Sequence, residues 1–134
     1  MVDKSKTILV VDDVEDWQST LVGLLTDEKY EAVAVGDREA AIEAVQAEIF
    51  DLAIIDIRLD ETDEDNTAGL DLASELKKIG SSNNLPVVII TGYETPESIA
   101  RALRPDETGR ILAADFVQKT DADELIGIVN RILR

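Results

Sequence analysis

ILVVDD at residues 8–13 decides how this chain folds: four aliphatic residues run without a polar break and stop at two adjacent carboxylates. A strand with one wet face alternates apolar and polar side chains. An unbroken apolar run instead belongs to a strand covered on both faces, as in a parallel sheet packed between helices. The pattern returns as LAII before Asp56 and VVII before Thr91, and a shorter run precedes Lys119. Together they predict strands at Thr7–Val11, Ala32–Val35, Leu52–Ile55, Val87–Ile90 and Asp115–Gln118.

Helix-like stretches separate these runs. The first, about 14–27, places Trp17, Leu21, Leu24 and Leu25 on one stripe. The second follows Asp37, a predicted N-cap, and aims Ile42, Val45 and Ile49 inward. The third, about 69–79, repeats the spacing with Leu72, Ala73, Leu76 and Ile79, then stops at Gly80. Thr95–Pro96 reads as the start of a fourth helix, with proline at its first position. A fifth opens at Thr120, with Asp123 as capping-box partner, and buries Leu125, Ile128, Val129 and Ile132. Alternating strands and helices imply an α/β fold: a doubly wound parallel sheet, helices on both faces, crossovers right-handed. The reading is one domain over residues 1–134, with neither repeat nor low-complexity linker.

Composition removes several function classes. With 29 acids against 13 bases the net charge is −16, which repels nucleic-acid backbones and anionic membranes alike. No run reaches membrane-spanning length and the N-terminus lacks a signal-peptide core, so a cytoplasmic location is expected. Zero cysteines exclude disulfides, thiol catalysis and cysteine zinc sites. Zero histidines remove the commonest acid–base group and nitrogen ligand. Any metal must then be held by oxygen, which favours Mg²⁺, Mn²⁺ or Ca²⁺.

In a parallel sheet every carboxyl end opens on the same edge, where ligands bind. Asp12, Asp13, Asp56, Thr91 and Lys119 would meet there. Two like charges about 4 Å apart repel by roughly 4 kcal/mol at an effective dielectric near 20, a cost that a hard divalent cation removes. A carboxylate can attack phosphorus to form an aspartyl phosphate. A metal and a lysine would spread the charge that develops on the transferring oxygens. Each residue also has a plainer reading. Asp13 could be a helix N-cap, Asp56 a turn residue, Thr91 part of a turn with Gly92, and Lys119 a solvated surface group. Their joint order along the strands carries the functional reading.

ILVVDD at 8–13, LAIIDIRL at 52–59, VVIITGY at 87–93 and DFVQK at 115–119 resemble the receiver domain of two-component response regulators, over nearly the whole chain. The resemblance implies a flavodoxin-like five-stranded sheet of order 2-1-3-4-5. It implies a phosphorelay role, with Asp56 as phosphoacceptor from the phosphohistidine of a sensor histidine kinase or phosphotransfer protein. Mg²⁺ would be held by Asp13, Asp56 and the backbone carbonyl of Arg58, with Asp12 acting through water. Lys119 would contact the phosphoryl group. Thr91 would move toward it and draw in Phe116, altering the surface of the fourth helix, fifth strand and fifth helix for a downstream protein or output domain. Homodimerisation through that surface stays open. The domain would assist its own phosphorylation and dephosphorylation without turning over an external substrate.

Departures from the family pattern set further expectations. Thr120 stands where receivers usually carry proline, so a trans bond is expected before it. The segment 60–68 (DETDEDNTA) is long and acidic, and 103–114 is lengthened. A calcium loop starting at Asp63 puts Gly69 and Glu75 one place late, and one starting at Asp60 puts Asp65 at the glycine position; the motif is rejected. Arg58 and Tyr93, two residues beyond Asp56 and Thr91, would flank the path of hydrolytic water. The alternatives are a degenerate receiver that docks partners without phosphorylation, and a phosphatase with an aspartyl-phosphate intermediate. The latter usually needs a general-acid aspartate where Arg58 stands.

Overall fold

The computed structural model describes residues 6–57, 68–79, 85–91, 115–118 and 121–133. Their elements run β1 (Thr7–Val11), α1 (Glu15–Asp27), β2 (Glu31–Val35), α2 (Arg38–Ala47), β3 (Leu52–Asp56), α3 (Ala68–Leu76), β4 (Val87–Thr91), β5 (Asp115–Gln118) and α4 (Ala122–Leu133). The element α4 is the fifth helix of the sequence reading; the helix expected from Thr95 lies outside the described residues. All strands pair in parallel in the order β2-β1-β3-β4-β5. That is the doubly wound order expected from the resemblance.

Alternation along each strand divides the interior into two cores. Leu9, Val11, Ala53, Ile55, Val87 and Ile89 point to one face, where Ala41 and Val45 of α2 and Leu70, Leu72, Ala73 and Leu76 of α3 cover them. Ile8, Val10, Leu52, Ile54, Val88, Ile90 and Val117 point to the other, against Leu21 and Leu25 of α1 and Leu125, Ile128 and Val129 of α4. Every residue of β3 and β4 is buried, which is why their sequences show no polar alternation. The edge strand β2, by contrast, mixes exposed and half-buried positions.

Local chemistry fixes the ends. Asp37 accepts a hydrogen bond from the Ala40 amide at 2.8 Å, the N-cap expected for α2. In α4 the cap is Asp121, whose carboxylate accepts from the Glu124 amide at 3.0 Å. The helix therefore begins later than the Thr120–Asp123 capping box implied, and Thr120 itself lies outside the described residues. The Tyr30 hydroxyl donates to Asn130 Oδ1, and Asn130 Nδ2 donates to Glu28 Oε1 at 3.1 Å, which staples α4 to the end of α1. Arg38 Nη2 meets Glu75 Oε2 at 2.7 Å and joins α2 to α3. That hydrogen bond holds the guanidinium above its ordinary pKa. Arg38 stays charged throughout the neutral range, so it gives no switch near neutrality.

Two inward assignments are corrected. Ile49 is 75% exposed, because α2 ends at Ala47 and Glu48 turns to an extended conformation; Phe50 enters the core instead. Trp17 is half-buried and belongs to neither core, standing one turn beyond Asp13. Among the described residues no helix is long and apolar enough to cross a membrane.

Candidate functional site

The sheet order builds the site. From β1 the chain moves outward to β2, then returns across β1 to β3, so β1 and β3 are neighbours at the point where the winding reverses. Val11 is paired with Ile55, and the next residue on each strand is an aspartate. Register alone brings Asp12 beside Asp56. The Asp12 amide donates to the Val35 carbonyl at 3.1 Å and so prolongs the β1–β2 ladder by one bond.

Ligand oxygens of Asp12, Asp13 and Asp56 all lie within 4.8 Å of one another. Asp12 and Asp56 are buried, whereas Asp13 is exposed at the rim. Asp12 Oδ1 accepts the Val14 amide at 3.0 Å, an Asx turn that aims the carboxylate over the strand end. The N-cap of α1 is Val14, with no side-chain cap bond. Asp13 is therefore not the helix cap of the plainer reading; its exposed carboxylate lies within 4.8 Å of those of Asp12 and Asp56. Three oxygen donors packed this closely, two of them away from solvent, fit a hard divalent cation, while the absence of histidine and cysteine disfavours softer metals.

Thr91 ends β4, only 1% exposed, one residue beyond the Ile90 that pairs with Asp56. It borders the cluster from the adjacent strand. Phe116 lies in β5 opposite Ile89, and its side chain is outside the described residues. Lys119, Arg58 and Tyr93, and with them the Lys119–Thr120 bond, also fall outside.

Two contributors carried no sequence signal. Gln18, half-buried on α1, donates its Nε2 to the Asp12 carbonyl at 2.6 Å. Gly69 opens α3 directly against the main chain of Asp56 and Ile57. A glutamine on a half-polar helix face reads as solvated, and a glycine near a helix start reads as a boundary.

A five-stranded doubly wound sheet with an acidic cluster at its switch point defines an α/β domain whose carboxylates could hold a cation. The sequence profile of the response regulator receiver domain matches residues 8–130, and the chain belongs to that family. It is 32% identical over 127 residues to the nitrogen assimilation regulatory protein NtrX of Azorhizobium caulinodans, a match covering 94% of this chain and 26% of the relative. The chain thus spans about a quarter of the length of the curated relatives it first matches. Among solved structures, the receiver domain of NtrX from Brucella abortus superposes with a TM-score of 0.77 at 35% identity, covering 94% of this chain and 97% of that one. The response regulator TrrA of Thermotoga maritima, in complex with Mg²⁺ and BeF, superposes with a TM-score of 0.75 at 27% identity over 96% of this chain and 99% of that one.

Proposed function

We propose that this receiver domain is a phosphorylated switch in which Asp56 takes a phosphoryl group from a partner histidine kinase or phosphotransfer protein. The observation that carries the reading is the convergence of Asp12, Asp13 and buried Asp56 within 4.8 Å at the β1/β3 reversal. The Mg²⁺–BeF complex of the similar TrrA supports it, since beryllofluoride is a chemical mimic of a phosphoryl group.

In this reading one carboxylate oxygen of Asp56 forms the new bond to phosphorus as the phosphorus–nitrogen bond of the donor breaks. The donor imidazole leaves with the electron pair and takes up a proton. These 134 residues contain no histidine, so the donor phosphohistidine lies outside them. Asp13, Asp56 and the Arg58 carbonyl would hold Mg²⁺, with Asp12 reaching it through water. Bound there, the ion would offset carboxylate repulsion and the charge developing on the transferring oxygens. Lys119 supplies a further positive charge, and the Thr91 hydroxyl donates to a phosphoryl oxygen once one is present. Movement of Thr91 leaves room for Phe116 to turn inward and changes the face that includes β5 and α4. A downstream protein or output domain reads that face.

Incubation with Mg²⁺ and acetyl phosphate, followed by mass spectrometry, tests the assignment. The expected result is the gain of one phosphoryl group, stable in acid, labile in base and absent from Asp56→Asn. A domain that only docks partners would show no gain in either protein. A phosphatase would turn over a generic phosphate ester.

A further inference from the structure

A side chain at Gly69 would collide with main chain. A Cβ placed there would overlap the Asp56 carbonyl oxygen and lie 2.6 Å from Ile57 Cα and 2.8 Å from the Asp56 carbonyl carbon. None of these atoms is the tip of a flexible side chain, so relief requires moving either α3 or the end of β3. Gly23 and Gly127, the glycines within α1 and α4, would meet nothing within 4 Å. The close approach is also a bonded one. The Gly69 amide donates to the Ile57 carbonyl at 2.8 Å, while the Ile57 amide donates to the Ile90 carbonyl at 2.9 Å. The residue after Asp56 is thus gripped on one side by β4 and on the other by the first turn of α3.

We propose that Gly69 is a positioning residue for Asp56: its bare backbone lets α3 seat on the Asp56–Ile57 peptide and hold the carboxylate against Asp12 and Asp13. The inference rests on, and deepens, the phosphoacceptor reading. The Ile57 amide is bonded to the Ile90 carbonyl and the Ile57 carbonyl to the Gly69 amide, so the direction in which the chain leaves Asp56 is set by β4 and by Gly69. A carboxylate that must lie in line with phosphorus tolerates little displacement; a shift of about 1 Å costs on the order of 100-fold in rate.

The experiment compares wild type with Gly69→Ala, using Gly23→Ala and Gly127→Ala as helix-glycine controls. For each folded protein, Mg²⁺ affinity is read from Trp17 fluorescence and the phosphorylation rate from acetyl phosphate. Gly69→Ala is expected to phosphorylate on the order of 100-fold more slowly and to bind Mg²⁺ more weakly, with both controls at wild-type values. A folded Gly69→Ala with wild-type rate and affinity overturns the inference, since a merely structural glycine would change melting alone. Failure of wild type to accept phosphate would instead strike the phosphoacceptor reading, and the Mg²⁺ arm would still decide whether Gly69 positions the cluster. If Gly69→Ala does not fold, the wild-type amide spectrum decides. Mg²⁺ should then shift the Gly69 resonance while leaving Gly23 and Gly127 in place, and an unmoved Gly69 resonance overturns the proposal.

Discussion

Gln18 reaches back from the first turns of α1 to place its Nε2 2.6 Å from the main-chain carbonyl of Asp12. With the Asp12 amide bonded to Val35 and its Oδ1 to the Val14 amide, the residue is held at three points. Asp12 is therefore fixed at its amide, its carbonyl and one carboxylate oxygen. Like charges held in fixed positions are poised for an ion and strained without one.

Gln18→Leu keeps the volume of the side chain and removes the donor. A buried carbonyl that loses its partner costs about 1–2 kcal/mol, and part of this falls on the cation-bound state. Mg²⁺ affinity, titrated by Trp17 fluorescence, should fall by up to about tenfold. An unchanged affinity would mean that Asp12 is positioned without Gln18.

Asp13→Asn separates repulsion from binding. Without Mg²⁺ the variant should melt a few degrees above wild type, matching relief of about 1 kcal/mol in a domain of this size. With Mg²⁺ the order should reverse, since only wild type gains stability by binding. Thermal melts with and without EDTA check both signs. A variant less stable than wild type in EDTA would contradict the repulsion argument.

Tyr30→Phe removes the hydroxyl that donates to Asn130, far from the acidic cluster along the α1–α4 seam. The expected loss is about 1 kcal/mol, with acetyl phosphate reactivity unchanged. A slowed phosphorylation would reveal coupling between that seam and the site.

The acidic run at 60–68 predicts an electrostatic effect on access. Replacing Asp60, Glu61, Asp63, Glu64 and Asp65 by their amides should speed phosphorylation by acetyl phosphate at low salt, the gain fading as salt screens the field. Equal rates at every ionic strength would refute it.

Much of this was legible before the fold was seen, for a definite reason. Strands buried on both faces leave continuous apolar runs, so β1, β3 and β4 announced themselves, and the polar residue ending each run marked the sheet edge. Asp12 and Asp56 meet because β1 and β3 are neighbours with Val11 and Ile55 in register. What failed were extrapolations along helices. Ile49 fits the spacing of α2 but comes after the helix has ended, and the cap of α4 fell on Asp121 because several polar residues compete there. Gln18 and Gly69 were hidden because both act on main chain. One supplies a hydrogen bond and the other an absence of atoms, and neither leaves a compositional trace.

The most direct test of the central claim is fluorine NMR of the protein titrated with beryllofluoride in the presence and absence of Mg²⁺. The account predicts a bound, slowly exchanging fluorine signal that requires Mg²⁺, disappears in Asp56→Asn and is accompanied by shifts in β5 and α4. Folded wild-type protein at saturating Mg²⁺ with no bound signal would contradict it.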